Sequence, residues 1–283
     1  MVKLSDHTRL MNIMIGLCLE QSKNWPNPLH KLNYKISVIE ASIPESNPDI
    51  VFTNKKKNHS IFVDCKSKTL EEKQIQRYCD IRTNPQTAIR RGIVDIVHED
   101  HFHIDPSFVS FSDLSKDELI IKYNMVFLHV NEHNNVIERI TKENGEFNFK
   151  DINDVFPIET GGYQPYYGLY PFDETDIEIF TIYVLRKLFS FALDERSFST
   201  EDLLQQTHPY WDLIDMRKQK KFEKIAVTIL NHLEQKGLER YLKRENGTWN
   251  ISVIKDPRSI LAFQQRCLDI ESQLEFKTLQ DLL

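Results

Sequence analysis

The residues best suited to chemistry stand in the first quarter of the chain. Pro48-Asp49-Ile50-Val51-Phe52 is followed, after a polar stretch, by Ile61-Phe62-Val63-Asp64-Cys65-Lys66. Each apolar run delivers a carboxylate, and the second adds an ammonium two residues on. Side chains alternate along a strand, so Asp64 and Lys66 share a face while Cys65 points to the other. The segment 53–60, rich in Asn and Lys, suits a turn that folds the two runs back antiparallel and brings Asp49 beside Asp64. Two carboxylates and one ammonium on one sheet face suit a divalent cation and a phosphodiester.

Those strands need a frame. Apolar residues at Leu10, Ile13, Met14, Leu17 and Cys18 recur at helical spacing and predict a helix over 6–22, capped by Ser5 or Asp6. Trp25-Pro26-Asn27-Pro28 stops it. A strand over 34–42 comes next, with Tyr34, Ile36 and Val38 on one face and Ile39 breaking the alternation. After the motif, 69–81 reads as a helix on which Gln74 and Tyr78 share a face. Later strands are expected at 108–111 and 125–130, with a crossover helix at 114–121. Residues 131–157 read as polar and irregular, and Gly-Tyr-rich 158–175 as a connector.

Pro48-Asp49 with Asp64-Cys65-Lys66 resembles the signature of the PD-(D/E)XK nuclease superfamily, over roughly residues 10–130. The resemblance implies a restriction-endonuclease-like α/β fold, a mixed sheet flanked by helices, and metal-dependent hydrolysis of DNA. Asp49 and Asp64 would hold the ion, with the Cys65 carbonyl as a further oxygen ligand. Lys66 would orient or deprotonate the attacking water, or neutralise the phosphate. Gln74 matches a Gln or Lys that many such nucleases carry near the active site. A third carboxylate often comes from the first helix or strand. Glu20 is the preferred candidate and Glu40 the other. An all-oxygen ligand set implies Mg²⁺ or Mn²⁺.

Beyond the connector the pattern changes. Helices are predicted at 177–193, from Ser199 (a cap, with Asp202 in the capping-box position) and at 218–236, closed by Gly237. A hairpin with an Asn246-Gly247 turn follows. Three helices and a hairpin resemble a winged-helix domain over 176–256, trailed by an amphipathic helix over 257–283 that covers the domain or docks a partner. On this reading Lys218, Lys220, Lys221 and Lys224 meet phosphates, and Lys243 and Arg244 flank the wing.

Bulk properties agree with this reading. The chain has 283 residues and a net charge of −6, unhelpful for nucleic acid taken alone. Yet residues 55–91 carry ten Lys/Arg against four Asp/Glu, and 217–244 nine against three, leaving −18 elsewhere. Positive charge is thus concentrated where DNA would be met, with Lys68 and Arg77 as further phosphate contacts. No run approaches a membrane span, and the N-terminus lacks a signal-peptide layout, so a cytoplasmic protein is expected. Cys18, Cys65, Cys79 and Cys267 form no ligand pair and read as reduced thiols, most of them buried. The cluster His98-Glu99-Asp100-His101-Phe102-His103 reads as a solvated loop. The expectation is a DNA endonuclease, the nuclease subunit of a bacterial defence or mobile-element system, acting with a partner protein or as a homo-oligomer. The alternative is a non-catalytic nucleic-acid-binding or docking adaptor.

Overall fold

The run His59–Lys66 is buried from its first residue to its seventh, so it needs cover on both faces and a neighbour on each edge. The computed structural model supplies both. It describes residues 4–20, 25–43, 46–66, 69–94, 101–114, 116–140, 145–161, 168–194, 197–253 and 256–274. Two units emerge: Asp6–Leu169 with Leu213–Asp215, and Tyr170–Asp212 with Met216–Leu283 and Met1–Ser5.

The N-terminal unit runs α1 (Asp6–Gly16), α2 (Pro28–Lys31), β1 (Lys35–Ile39), β2 (Ile50–Asn54), β3 (His59–Lys66), α3 (Glu72–Thr83), α4 (Gln86–Arg90), β4 (His103–Ser110), α5 (Glu118–Lys122), β5 (Val126–Asn131), β6 (Val136–Arg139), α6 (Lys150–Asn153) and β7 (Ile158–Glu159). The seven strands form one sheet in sequence order. β3, β4 and β5 are parallel neighbours, and the remaining pairs are antiparallel. The expected class, a mixed α/β sheet flanked by helices and followed by a mostly helical region, is what forms.

One face of the sheet meets α1, where the Cys65 thiol lies 3.8 Å from the Met11 sulfur. The other face carries the core of Phe62, Ile75, Tyr78, Phe108, Ile120 and Phe127 beneath α3 and α5. Each such side chain contributes about 1.5–3 kcal/mol by leaving water, which fixes the register that positions the motif. The alternation broken at Ile39 has its cause in a β-bulge between Ile36 and Val38.

Several expected elements differ. α1 stops at Gly16, not residue 22, because Trp25 closes on that glycine: a Cβ there would lie 2.6 Å from the Trp25 Nε1. The Leu17 carbonyl then accepts from the Leu29 amide. Residues 131–157 are not wholly irregular. β6 and α6 fall there and β7 follows, each too short to show periodicity. Of the cluster expected as a solvated loop, His101 is exposed but Phe102 is buried and His103 already begins β4, while His98, Glu99 and Asp100 lie outside the described residues, as do 162–167 of the connector.

The C-terminal unit runs α7 (Ile177–Leu193), α8 (Thr200–Thr207), α9 (Met216–Gln235), β8 (Leu242–Glu245), β9 (Thr248–Ile251) and α10 (Pro257–Ser272). Ser199 and Asp202 form the capping box. Asn246 and Gly247 both take positive φ, as a tight hairpin turn demands. Phe198 pairs with Trp249 and lends the hairpin a third, one-residue strand. α10 packs along α7, with Arg186 paired to Glu271 at 2.7 Å. Its expected continuation over 275–283 lies outside the described residues. No helix among the described residues is long and apolar enough to cross a membrane.

Candidate metal and active site

β2 and β3 pair antiparallel from Asn54↔His59 to Ile50↔Val63, so the expected hairpin forms. Beyond that point the ladder loosens at Asp49. Its amide donates to the Val63 carbonyl at 2.8 Å, and its carboxylate Oδ2 accepts from the Cys65 amide at 2.5 Å. The two motif carboxylates are thereby gathered at one end of the hairpin. Asp64 and Lys66 point to the same face and pair, Oδ1 to Nζ, at 2.9 Å. The other Asp64 oxygen accepts from Gln74 Nε2 on α3, the position expected for this residue.

Tyr78, one turn on from Gln74, is 1 % exposed and stacks edge-on against Phe108 at 5.5 Å. Burial pushes its hydroxyl well above the ordinary tyrosine range, and Asp64 adds to the push. The hydroxyl faces Asp64, yet has no well-formed hydrogen bond among the described residues.

The third carboxylate beside Asp49 is Glu40, not Glu20. Glu20 is exposed beyond the end of α1. Glu40 follows the bulged β1 and takes φ 56°, a left-handed conformation unusual for a residue with a side chain. Its amide donates to the Asp49 carbonyl at 2.7 Å. A fourth group arrives from the first turn of α1: His7 Nε2 lies 3.4 Å from Glu40 Oε1, and Nδ1 lies 3.8 Å from Asp49 Oδ2. Ligand atoms of His7, Glu40 and Asp49 all lie within 4.8 Å of one another.

The electrostatics are unbalanced. Burial above all pushes Asp49 up to about 8. The His7 imidazole opposes the rise, while Asp64 and Glu40 reinforce it. Asp64 is raised too, by burial first, with Lys66 working against it. Carboxylates crowded in low dielectric resist ionising together, and a divalent cation would offset their charge. One imidazole and two carboxylates at ligand reach fit such an ion.

His7 was missed in the sequence. The available signal was its place three and four residues before Leu10 and Met11, which continues the buried stripe of α1 with a polar group. Glu40 could not have been preferred from sequence, because its position depends on the bulge.

The phosphate contacts expected elsewhere divide. Arg77 is exposed on α3, and Lys68 lies outside the described residues. Lys220, Lys224, Lys243 and Arg244 are exposed in the C-terminal unit, and Arg244 stands 5.4 Å over the Trp249 ring. Lys221 shares Glu174 at 3.4 Å. Lys218 is not available to a phosphate. It is 9 % exposed and pairs with Asp173 at 3.0 Å and Glu174 at 3.2 Å. The phase of α9 turns Lys218 inward with Phe222 and Ile225, while the other lysines stay outside.

Residues 6–170 match the family described as the MJECL32 domain, and residues 173–281 match a domain of unknown function, DUF8601. The chain is 28 % identical over 211 residues to an uncharacterized protein, MJECL32, of Methanocaldococcus jannaschii. That match covers 67 % of this chain and 47 % of the relative, so the chain spans about half the length of the curated relative that it matches. No solved structure matches the chain.

Proposed function

The chain belongs to the MJECL32 domain family, and from the geometry of its site we propose that it is a metal-dependent nuclease of the PD-(D/E)XK kind acting on DNA. One observation carries the reading: Asp64 and Lys66 pair on one face of a central strand, and Asp49 joins them at the open end of the same hairpin. Flanking helices on both faces, and Gln74 on the Asp64 oxygen, support it further.

Asp49 and Asp64, with Glu40 beside them, would hold the ion. When bound, a divalent cation supplies charge to the scissile phosphate and lowers the pKa of a coordinated water. The remaining work falls to the protein. Lys66 sets a positive charge where charge develops on the phosphoryl oxygens, or orients the attacking water. Gln74 fixes the rotamer of Asp64, and Tyr78 backs it with a hydroxyl dipole. The order helix, one-residue strand, helix, helix, hairpin in the C-terminal unit supports a winged-helix reading. Exposed Lys220, Lys224, Lys243 and Arg244 give it a phosphate-facing side.

Plasmid cleavage with Mg²⁺ or Mn²⁺ tests the proposal. The native chain is expected to cut. Asp64→Ala and Lys66→Ala, shown to be folded, are expected to lose at least 100-fold. Cleavage retained in both variants would remove this hairpin from the chemistry.

A further inference from the structure

We propose that Lys73, Arg77, Arg90 and Arg91 form a track that grips the phosphate backbone of duplex DNA on one side of the cut. All four side chains are exposed. The buried faces of α3 and α4 enter one core, through Ile75, Tyr78 and Ile81 on the first helix and Ala88 on the second. Their exposed faces therefore both look away from the sheet, and only Asn84 and Pro85 separate the two helices. From Lys73 to Arg91 the chain carries five Lys/Arg against one acid, Asp80, although the whole chain stands at −6. Arg82 is engaged by the Asn124 and Tyr123 carbonyls, at 3.3 and 3.4 Å. The other four have no ion pair among the described residues, whereas Lys57, Lys122 and Lys150 of the same unit each rest on a carboxylate. Glu72, beside Lys73 in the chain, is taken up by Lys122 and the Tyr123 hydroxyl, which leaves exposed Glu71 and Asp80 as the acids along the row.

The track starts at the candidate site. Gln74, whose amide reaches Asp64, shares a face of α3 with Arg77 one turn on. From Gln74 to the end of α3 at Thr83 the helix rises about 14 Å, the length of about four nucleotide steps along a duplex strand. Arg90 and Arg91 extend the row past that point. Gly92 then takes φ 67°, and nothing lies within 4 Å of where a Cβ would stand, so a backbone can come close there. A guanidinium is always charged and presents a planar fork that fits phosphate oxygens. Three of the four cations are arginines, and a row of them meets a regularly charged backbone at several points at once. The inference rests on the nuclease reading for its choice of DNA, but it is measured without cleavage.

The test is binding of the full chain to a labelled duplex, followed by fluorescence anisotropy without metal over a range of salt. Arg77→Gln, Arg90→Gln and Arg91→Gln combined should weaken binding by about 10- to 100-fold at about 0.1 M salt, and reduce the slope of log affinity against log salt by about 2 to 3. The three Arg→Lys changes combined keep the charge and should restore most of that slope. A control removes the same charge near the turn between β2 and β3, through Lys31→Gln, Lys35→Gln and Lys56→Gln at exposed positions. It should change affinity by less than about threefold. A control that loses as much as the track variant would overturn the proposal, as would a native chain without salt-sensitive duplex binding. So would poly-glutamate that displaces the duplex as readily as unlabelled DNA does. Track-dependent binding in a chain that cuts no DNA would uphold the surface and sink the nuclease. Cleavage that depends on Asp64, with binding indifferent to the three arginines, would do the reverse.

Discussion

β3 carries a buried polar cluster at each end, and the two are opposites. At its start, His59 is wholly buried between Tyr34 and Asp105, with contacts of 2.6 Å to the Tyr34 hydroxyl and 2.9 Å to the Asp105 carboxylate. Each ring nitrogen thus has one oxygen partner. Asn148 gives Asp105 two more hydrogen bonds, at 2.6 and 2.7 Å. Every member is matched. About 17 Å along the strand, the Asp64 end gathers three carboxylates, leaves Asp49 pushed up to about 8, and turns the buried Tyr78 hydroxyl toward Asp64. A polar cluster that completes itself holds a fold together. One that crowds carboxylates together at comparable burial costs stability instead.

The largest effect should come from breaking the complete end. His59→Ala leaves a cavity and strips partners from Tyr34 and Asp105, so a loss of about 3–5 kcal/mol is expected. It would be read as a lower urea midpoint at unchanged slope. A loss under about 1 kcal/mol would mean that the network is not what holds this end.

The Asp64 end should respond in the opposite direction. Asp49 holds its proton in the folded chain up to about pH 8, but gives it up near the ordinary carboxylate range when unfolded. Stability therefore falls as pH rises from about 4 to about 8, because only the unfolded state ionises freely there. Asp49→Asn removes that penalty. It should match the native chain near pH 4 and exceed it at pH 8, by on the order of 1–3 kcal/mol, as followed by thermal unfolding without metal. A variant less stable at pH 8 than the native chain would show that the carboxylates are not in conflict.

The smallest and sharpest contrast is one substitution made at both ends. Tyr34→Phe breaks a well-formed hydrogen bond and should lose about 1–2 kcal/mol, whereas Tyr78→Phe gives up only a loosely aligned contact with Asp64 and should lose less than about 1 kcal/mol. Equal losses in denaturant titrations of the two would mean that Asp64 holds the Tyr78 hydroxyl as firmly as His59 holds that of Tyr34.

The sequence made part of this visible, for physical reasons. Asp49, Asp64, Lys66 and Gln74 lie on a hairpin and the helix after it, where period-two alternation and helical spacing are local rules. Their contacts follow those rules. Glu40 and His7 obey no local rule. Glu40 depends on a bulge and a left-handed backbone, and His7 on how a helix end meets a sheet end. Lys218 misled for a related reason: its sequence neighbours are basic, but its partners Asp173 and Glu174 stand more than 40 residues away in the chain and are met by the inward phase of α9. The short β6 and β7 hold too few residues for any pattern to rise above the background.

The segment Leu213–Asp215 belongs with the N-terminal unit, although the chain on either side of it does not. Ile214 bridges Ile39 in parallel, the Asp215 amide donates to the Ile39 carbonyl at 2.9 Å, and its carboxylate accepts from the Ser42 amide at 3.3 Å. These contacts clasp the backbone on both sides of Glu40. A chain shortened to residues 6–170 would keep all of the candidate ligands and lose the splint that holds one of them. Recombination between relatives meets the same obstacle. The inheritable module is not a continuous stretch but a stretch plus a distant three-residue stitch, and an exchange that carries one without the other would loosen Glu40 while leaving every ligand in place.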